Sequence, residues 1–90
     1  MDGSTRLAAI REALESAFRP LSIEIVDESH LHRGHAGALS GRGHFRLRIT
    51  AAAFDGRSPV ARHRMVYGAL EVLMETEIHA LSIEALSPND

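Results

Sequence analysis

Leu7, Ile10, Leu14, Ala17 and Phe18 recur at spacings of three and four, the period of one apolar helix face. They predict a first helix, capped by Ser4 or Thr5 and stopped by Pro20. The period then changes to two. Leu21, Ile23 and Ile25 alternate with Ser22 and Glu24, which predicts a half-buried strand ending near Asp27. After a loop of about 16 residues, long for the inside of a compact domain, Phe45, Leu47 and Ile49 alternate with His44, Arg46, Arg48 and Thr50 as a second strand. The two strands are expected to pair as a hairpin, with Glu24 on the same outer face as Arg46 and Arg48.

Phe54-Asp55-Gly56-Arg57 reads as a turn, and Ser58-Pro59 as a helix start, since Ser caps and Pro is tolerated at the first helical position. That helix is expected to run to Glu75, burying Val66, Ala69, Leu70 and Leu73. Ile78, Ala80, Leu81 and Ile83 give a third strand, with His79 in phase with Leu81 and Ile83, before the polar tail Ser87-Pro88-Asn89-Asp90. The order αββαβ predicts an α+β fold in a single domain over residues 1–90, with an ordered core from roughly 5 to 86 and a three-stranded mixed sheet carrying its helices on one face. A crossover of about 27 residues joins the second and third strands, the length that usually makes two strands parallel. Both strands then start at the same sheet end, which brings His79 beside the loop of residues 28–43.

Composition narrows the class. Of 90 residues, 44% are apolar and 24% charged, values of an ordinary globular domain. No apolar run approaches the ~18 residues of a spanning helix, and Met-Asp-Gly-Ser-Thr-Arg lacks the basic-then-apolar layout of a signal peptide. The expectation is a cytoplasmic protein with no membrane association. The chain has no Cys, so it offers neither disulfides nor a thiolate cage for zinc or iron–sulfur. A net charge of −2 argues against wrapping nucleic acid by bulk electrostatics, although it leaves a local basic patch open.

Histidine is the remaining chemistry. His30, His32 and His35 stand within His-Leu-His-Arg-Gly-His. Ordering all three on one Gly-rich loop would be entropically costly, so a solvated loop is the plain reading, and one or two coordinating side chains the most that is expected. His44 falls in the polar phase of its strand, expected exposed yet near enough to substitute as a ligand. A lone His in an apolar phase, such as His79, is more often a hydrogen-bonded structural residue than a ligand. Its closeness to a His-bearing loop shifts that balance toward coordination. His63, early in the long helix, is expected to pack or hydrogen-bond.

Arg57, Arg62, His63 and Arg64 gather at the start of the long helix, with Glu71, Glu75 and Glu77 toward its end. The helix dipole favours the reverse arrangement, each misplaced charge costing roughly 0.3 to 1 kcal/mol. A solvated charged face is the plain reading. An anion site for a carboxylate or phosphate is the functional one. No nucleophile and base stand in a motif, so the chain does not read as an enzyme.

Several spaced motifs then acquire a meaning together. Val26-Asp27-Glu28-Ser29-His30, Gly34-His35-Ala36-Gly37, His44-Phe45-Arg46, Phe54-Asp55-Gly56 with Ser58, Arg62-His63-Arg64-Met65-Val66-Tyr67 and Ile78-His79-Ala80-Leu81 resemble the BolA family, over nearly the whole chain from residue 7 to residue 88. The resemblance implies an αββαβ domain related to the class II KH fold. It also implies a heterodimer with a monothiol glutaredoxin, within which a [2Fe-2S] cluster is shared. By the same resemblance His79 matches the family's C-terminal ligand and His35, in its Gly-His-Ala setting, the loop ligand. A Rieske-type centre holds one iron by two imidazoles and the other by thiolates. Here the thiolates would come from a glutaredoxin cysteine and its bound glutathione. Protonation removes an imidazole as a ligand, so such a site should weaken in acid. The isolated chain is expected to hold no cofactor and to be a monomer or weak dimer.

Some bacterial family members are described as transcriptional regulators of stress response and cell morphology, which makes DNA binding the rival expectation. The basic helix start would then face the DNA backbone, and in the cluster reading glutathione carboxylates or an acidic partner. One Tyr, three Phe and no Trp leave little for base stacking. Gly34-His35-Ala36-Gly37 has the GxxG spacing of KH domains, but it lies between two strands rather than two helices.

Overall fold

Asp2, not Ser4 or Thr5, caps the first helix, α1 (Gly3–Phe18). Its Oδ1 accepts the Thr5 N–H at 2.8 Å. A carboxylate there also meets the positive end of the helix dipole, an advantage a hydroxyl lacks, and the Thr5 amide holds the Asp2 carboxyl below its ordinary value. The computed structural model describes residues 1–32 and 41–90, apart from the side chains of Leu31 and His32. At the far end of α1, Arg19 adopts a left-handed conformation with φ 45° and returns its N–H to Glu15, and Pro20 prevents continuation.

Strands β1 (Ser22–Asp27) and β2 (Gly43–Thr50) pair antiparallel as expected, and β2 pairs parallel with β3 (Ile78–Leu86), giving a mixed sheet of order β1-β2-β3. Alternation along β2 buries Phe45, Leu47 and Ile49 and exposes Arg46 and Arg48. The buried side meets Ile10 and Leu14 of α1 and Val66 and Leu70 of the crossover, which places the helices on one face. Glu24 stands opposite Arg48 in the register. The outer-face ion pairs form elsewhere, Arg48 with Glu84 at 3.7 Å and Arg46 with Glu28 at 3.5 Å. Exposed pairs of this kind are worth at most about 1 kcal/mol.

The crossover begins with a short 3-10 turn over Ala52–Phe54, which inserts Phe54 fully into the core against Phe18, ring centroids 4.9 Å apart. Ser58 caps α2 (Pro59–Ala69) by accepting the Ala61 N–H at 3.1 Å. The expected single helix to Glu75 is in fact two. At Leu70 the backbone turns to φ −103° and ψ 14°, its N–H shared between the Val66 and Tyr67 carbonyls, and α3 (Glu71–Thr76) follows. Gly68, the weakest helix former nearby, lies just before the break. The tightening keeps both Val66 and Leu70 in the core while redirecting the chain toward β3. Among the described residues no helix is long and apolar enough to cross a membrane.

Candidate metal centre

The start of β3 departs from simple alternation. Gly43 of β2 pairs with Ile78, and the next residue, His44, pairs with Ala80, so β3 advances two residues for one on β2. His79 is the extra residue of a β-bulge, a device that re-aims a side chain at the end of a sheet. Ile78 remains buried, Leu81, Ile83 and Ala85 pack against the core, and His79 is exposed. The inward phase expected for His79 is therefore corrected. Counting back from Leu81 assumes one residue per pleat, which the bulge breaks.

His44 differs in the opposite direction. It shares the outer face with Arg46 and Arg48, yet it is buried to 8% exposure. The cause is local: Asp27 Oδ1 accepts the Ser29 N–H at 2.9 Å and the Ser29 hydroxyl at 2.6 Å, and Ser29 Oγ accepts the His44 N–H at 3.1 Å. The Glu28 N–H donates to the His44 carbonyl at 2.8 Å. These bonds fold a 3-10 turn, Ser29–His32, over the beginning of β2.

The two departures bring imidazoles together. The rings of His44 and His79 lie 5.1 Å apart between centroids, tilted by 48°. His30 is exposed on the turn and lines a cleft with Arg6, Asp27, Ser29, Gly41, Arg42 and His44. His35 and the side chain of His32 lie outside the described residues. Arg6 ties this end of the molecule together, donating to Glu77 Oε1 at 3.2 Å and to the Gly41 carbonyl at 3.0 Å. Arg42 reaches His79, its Nη2 lying 3.4 Å from Nδ1. Among the described residues no three His, Asp or Glu side chains form a metal-binding group. A buried and an exposed imidazole side by side suit a borderline-soft metal such as iron, provided a partner supplies the remaining ligands.

The basic helix start lies at the other end of the sheet. Arg62 meets Asp90 in a two-pronged ion pair, Nη1 to Oδ2 at 2.6 Å and Nη2 to Oδ1 at 2.8 Å, and also donates to the carbonyls of Arg57 and Ala85. Asp90 accepts the Ser87 N–H, and the Ser87 hydroxyl donates to Asp55. Arg62 thus straps the tail to the start of α2, which leaves Arg57, His63 and Arg64 as the exposed basic groups there. From Ala85 to His79 is six strand residues, about 20 Å, too far for one glutathione to serve both ends.

The Arg62 guanidinium, with help from the Ser87 amide, holds the Asp90 carboxyl down to about 2 from an ordinary 3.8 and raises the Arg62 value in turn. A depressed carboxyl stabilises the fold above its unfolded value and loses that contribution as pH falls through its folded value. Asp90→Asn should therefore lower the denaturation midpoint at neutral pH. The gap from wild type should close between about pH 4 and pH 2, which urea titrations at stepped pH would measure.

Comparison with known proteins follows the same outline. The family model described as BolA-like protein matches residues 14–90. The chain belongs to the BolA family. This BolA-family chain is 43% identical over 84 residues to SufE-like protein 1, chloroplastic/mitochondrial, of Arabidopsis thaliana, covering 88% of itself but 23% of that protein. It is 39% identical over 74 residues to the DNA-binding transcriptional regulator BolA of Escherichia coli, covering 82% of itself and 68% of the regulator. Its fold superposes on the BolA domain of SufE1 from Arabidopsis thaliana with a TM-score of 0.83 at 41% identity, covering 99% and 98% of the two chains. Several curated relatives are longer, and the chain spans 57% of human BolA-like protein 1.

Four participants in this BolA-family site escape a reading by periodicity. Asp27 and Ser29 carry a detectable signal, since Asp followed two residues on by Ser is a common self-bonding turn. Arg6 and Arg42 carry none, because their partners lie 71 and 37 positions away.

Proposed function

We propose that this protein is a non-enzymatic adaptor that binds a monothiol glutaredoxin and shares a [2Fe-2S] cluster with it, in cluster trafficking or iron and redox sensing. The observation that carries the reading is His79, the exposed residue of a bulge beside a second imidazole, in a BolA-family chain. His79 would supply one imidazole and His35 the second, and the glutaredoxin cysteine and glutathione would supply the thiolates. His44, whose ring neighbours His79, is the residue to test against His35. When bound, the cluster brings one-electron redox chemistry. The chain contributes nitrogen ligands and a binding surface. Two imidazoles make such a centre easier to lose than four thiolates, especially in acid, which suits transfer over storage.

Mixing the purified chain with cluster-loaded monothiol glutaredoxin should change the visible absorption and circular dichroism. His79→Ala should abolish that change, and His35→Ala should weaken it more than His44→Ala does. An unchanged spectrum with wild type would sink the reading. DNA binding is the second reading, favoured by the 39%-identical Escherichia coli regulator and by exposed Arg57, His63 and Arg64. It expects a duplex affinity that falls steeply with salt and drops when Arg57 and Arg64 are replaced by Ala.

A further inference from the structure

Arg42 precedes the bulge and points its guanidinium at the proposed ligand. Its Nη1 donates to the Glu75 carbonyl at 3.4 Å, and Nη2 lies 3.4 Å from His79 Nδ1. A guanidinium has only donors and stays charged. The nitrogen that faces it must therefore be the unprotonated one. A neutral imidazole has one donor and one acceptor nitrogen, so this contact selects the form of His79 with its proton on Nε2 and its lone pair on Nδ1.

A neutral imidazole ligates a metal through its one unprotonated nitrogen, whether Nδ1 or Nε2. We infer that Arg42 is a positioning residue that occupies the one free lone pair of the His79 ring, on Nδ1, in the unpartnered chain and must be displaced before iron is bound. The inference rests on the cluster reading, in which His79 is a ligand. Both routes to ligation go through Arg42. Bonding through Nδ1 requires the guanidinium to leave directly. Bonding through Nε2 first requires the proton to move to Nδ1, where it would point at a cation, so the guanidinium must again withdraw. The contact between Arg42 and His79 is long, and long hydrogen bonds are weak. The hold is a modest one, of the size that a partner's docking can release. It also gives the free chain some protection against stray metal ions, because the exposed imidazole is already engaged.

The expected effect of removing the guanidinium is a tighter cluster complex, roughly 2- to 10-fold, the range of one net hydrogen bond. Two readouts test it on wild type, Arg42→Met and Arg42→Ala, each checked for an intact amide spectrum. In the isolated chain, nitrogen-15 spectra of the imidazoles should show His79 Nδ1 as a hydrogen-bonded acceptor in wild type. In both variants that nitrogen should move to the value of an unbonded ring nitrogen. With cluster-loaded glutaredoxin, titration followed by visible circular dichroism should give the tighter binding, and adding His79→Ala to Arg42→Met should erase the gain. An unshifted Nδ1, or binding that is equal or weaker without Arg42, overturns the inference. If His79→Ala alone leaves the wild-type complex spectrum unchanged, the cluster reading fails instead, a result separable from the nitrogen spectra of the free chain.

Discussion

Phe54→Ala should cost about 3 to 5 kcal/mol, a large share of what a domain of this size has, since marginal stability of roughly 0.05 to 0.15 kcal/mol per residue gives little to spare. The ring is fully buried, and it seals the core where the chain leaves β2 and turns into the crossover. Its neighbours come from elements that are fixed elsewhere: Phe18 closes α1, and Ala51 is held by the Leu86 carbonyl at 3.0 Å. They cannot collapse into the vacated space, so both the lost burial and the cavity count. Phe18→Ala should cost less, because Phe18 is only half-buried. A double-mutant cycle between the two rings should return about 0.5 to 1.5 kcal/mol of coupling, read from urea denaturation of the four proteins. A loss under about 1 kcal/mol for Phe54→Ala would mean the core closes without this ring.

Gly43→Ala is the second large effect, and it reaches the site as well as the core. A Cβ on Gly43 would sit 2.5 and 2.8 Å from two ring atoms of Phe45 and 3.0 Å from Ser29 Oγ. Phe45 is itself buried and cannot swing away, while Ser29 is held by Asp27. Overpacking at such a point should cost about 1 to 3 kcal/mol. The strand can relieve the clash by moving away from β3 or by lifting the Ser29 turn, and either motion disturbs the pairing that makes His79 the bulged residue. The expected result is a lowered urea midpoint together with a changed His79 imidazole spectrum in the folded protein. A substitution on the exposed side of β2, such as Arg48→Ala, should leave that spectrum unmoved and serves as the comparison.

Alternation and helical period made most of the architecture legible. The three strands, the antiparallel hairpin, the parallel crossover and the buried side of the second helical segment, marked by Val66 and Leu70, all follow from which residues are apolar and how far apart they stand. The topology even set His79 at the sheet end where β2 begins. Side-chain direction at that end was not legible, for a physical reason. A bulge changes phase by one residue without altering composition, so Ile78-His79-Ala80 reads the same with it or without it. The burial of His44 depends on a turn built by Asp27 and Ser29, a tertiary cover that no period in β2 records. The strap from Arg62 to Asp90 and the reach of Arg42 to His79 likewise join residues far apart in sequence. The break at Leu70 left only a faint sign, Gly68, and the apolar spacing runs through it undisturbed.

The parallel pairing of β2 with β3 also sets when the site comes into being. His44 and His79 belong to segments separated by the whole crossover, and closing a loop of that length costs entropy before any non-local contact repays it. The β1–β2 hairpin and the helices can form from near neighbours, but the histidine pair exists only after the last strand has docked. A nascent or partly unfolded chain therefore holds His44 and His79 apart. Under the proposed function, readiness to share a cluster is in this way a report on completed folding, made by the residue that the final strand carries at its leading edge.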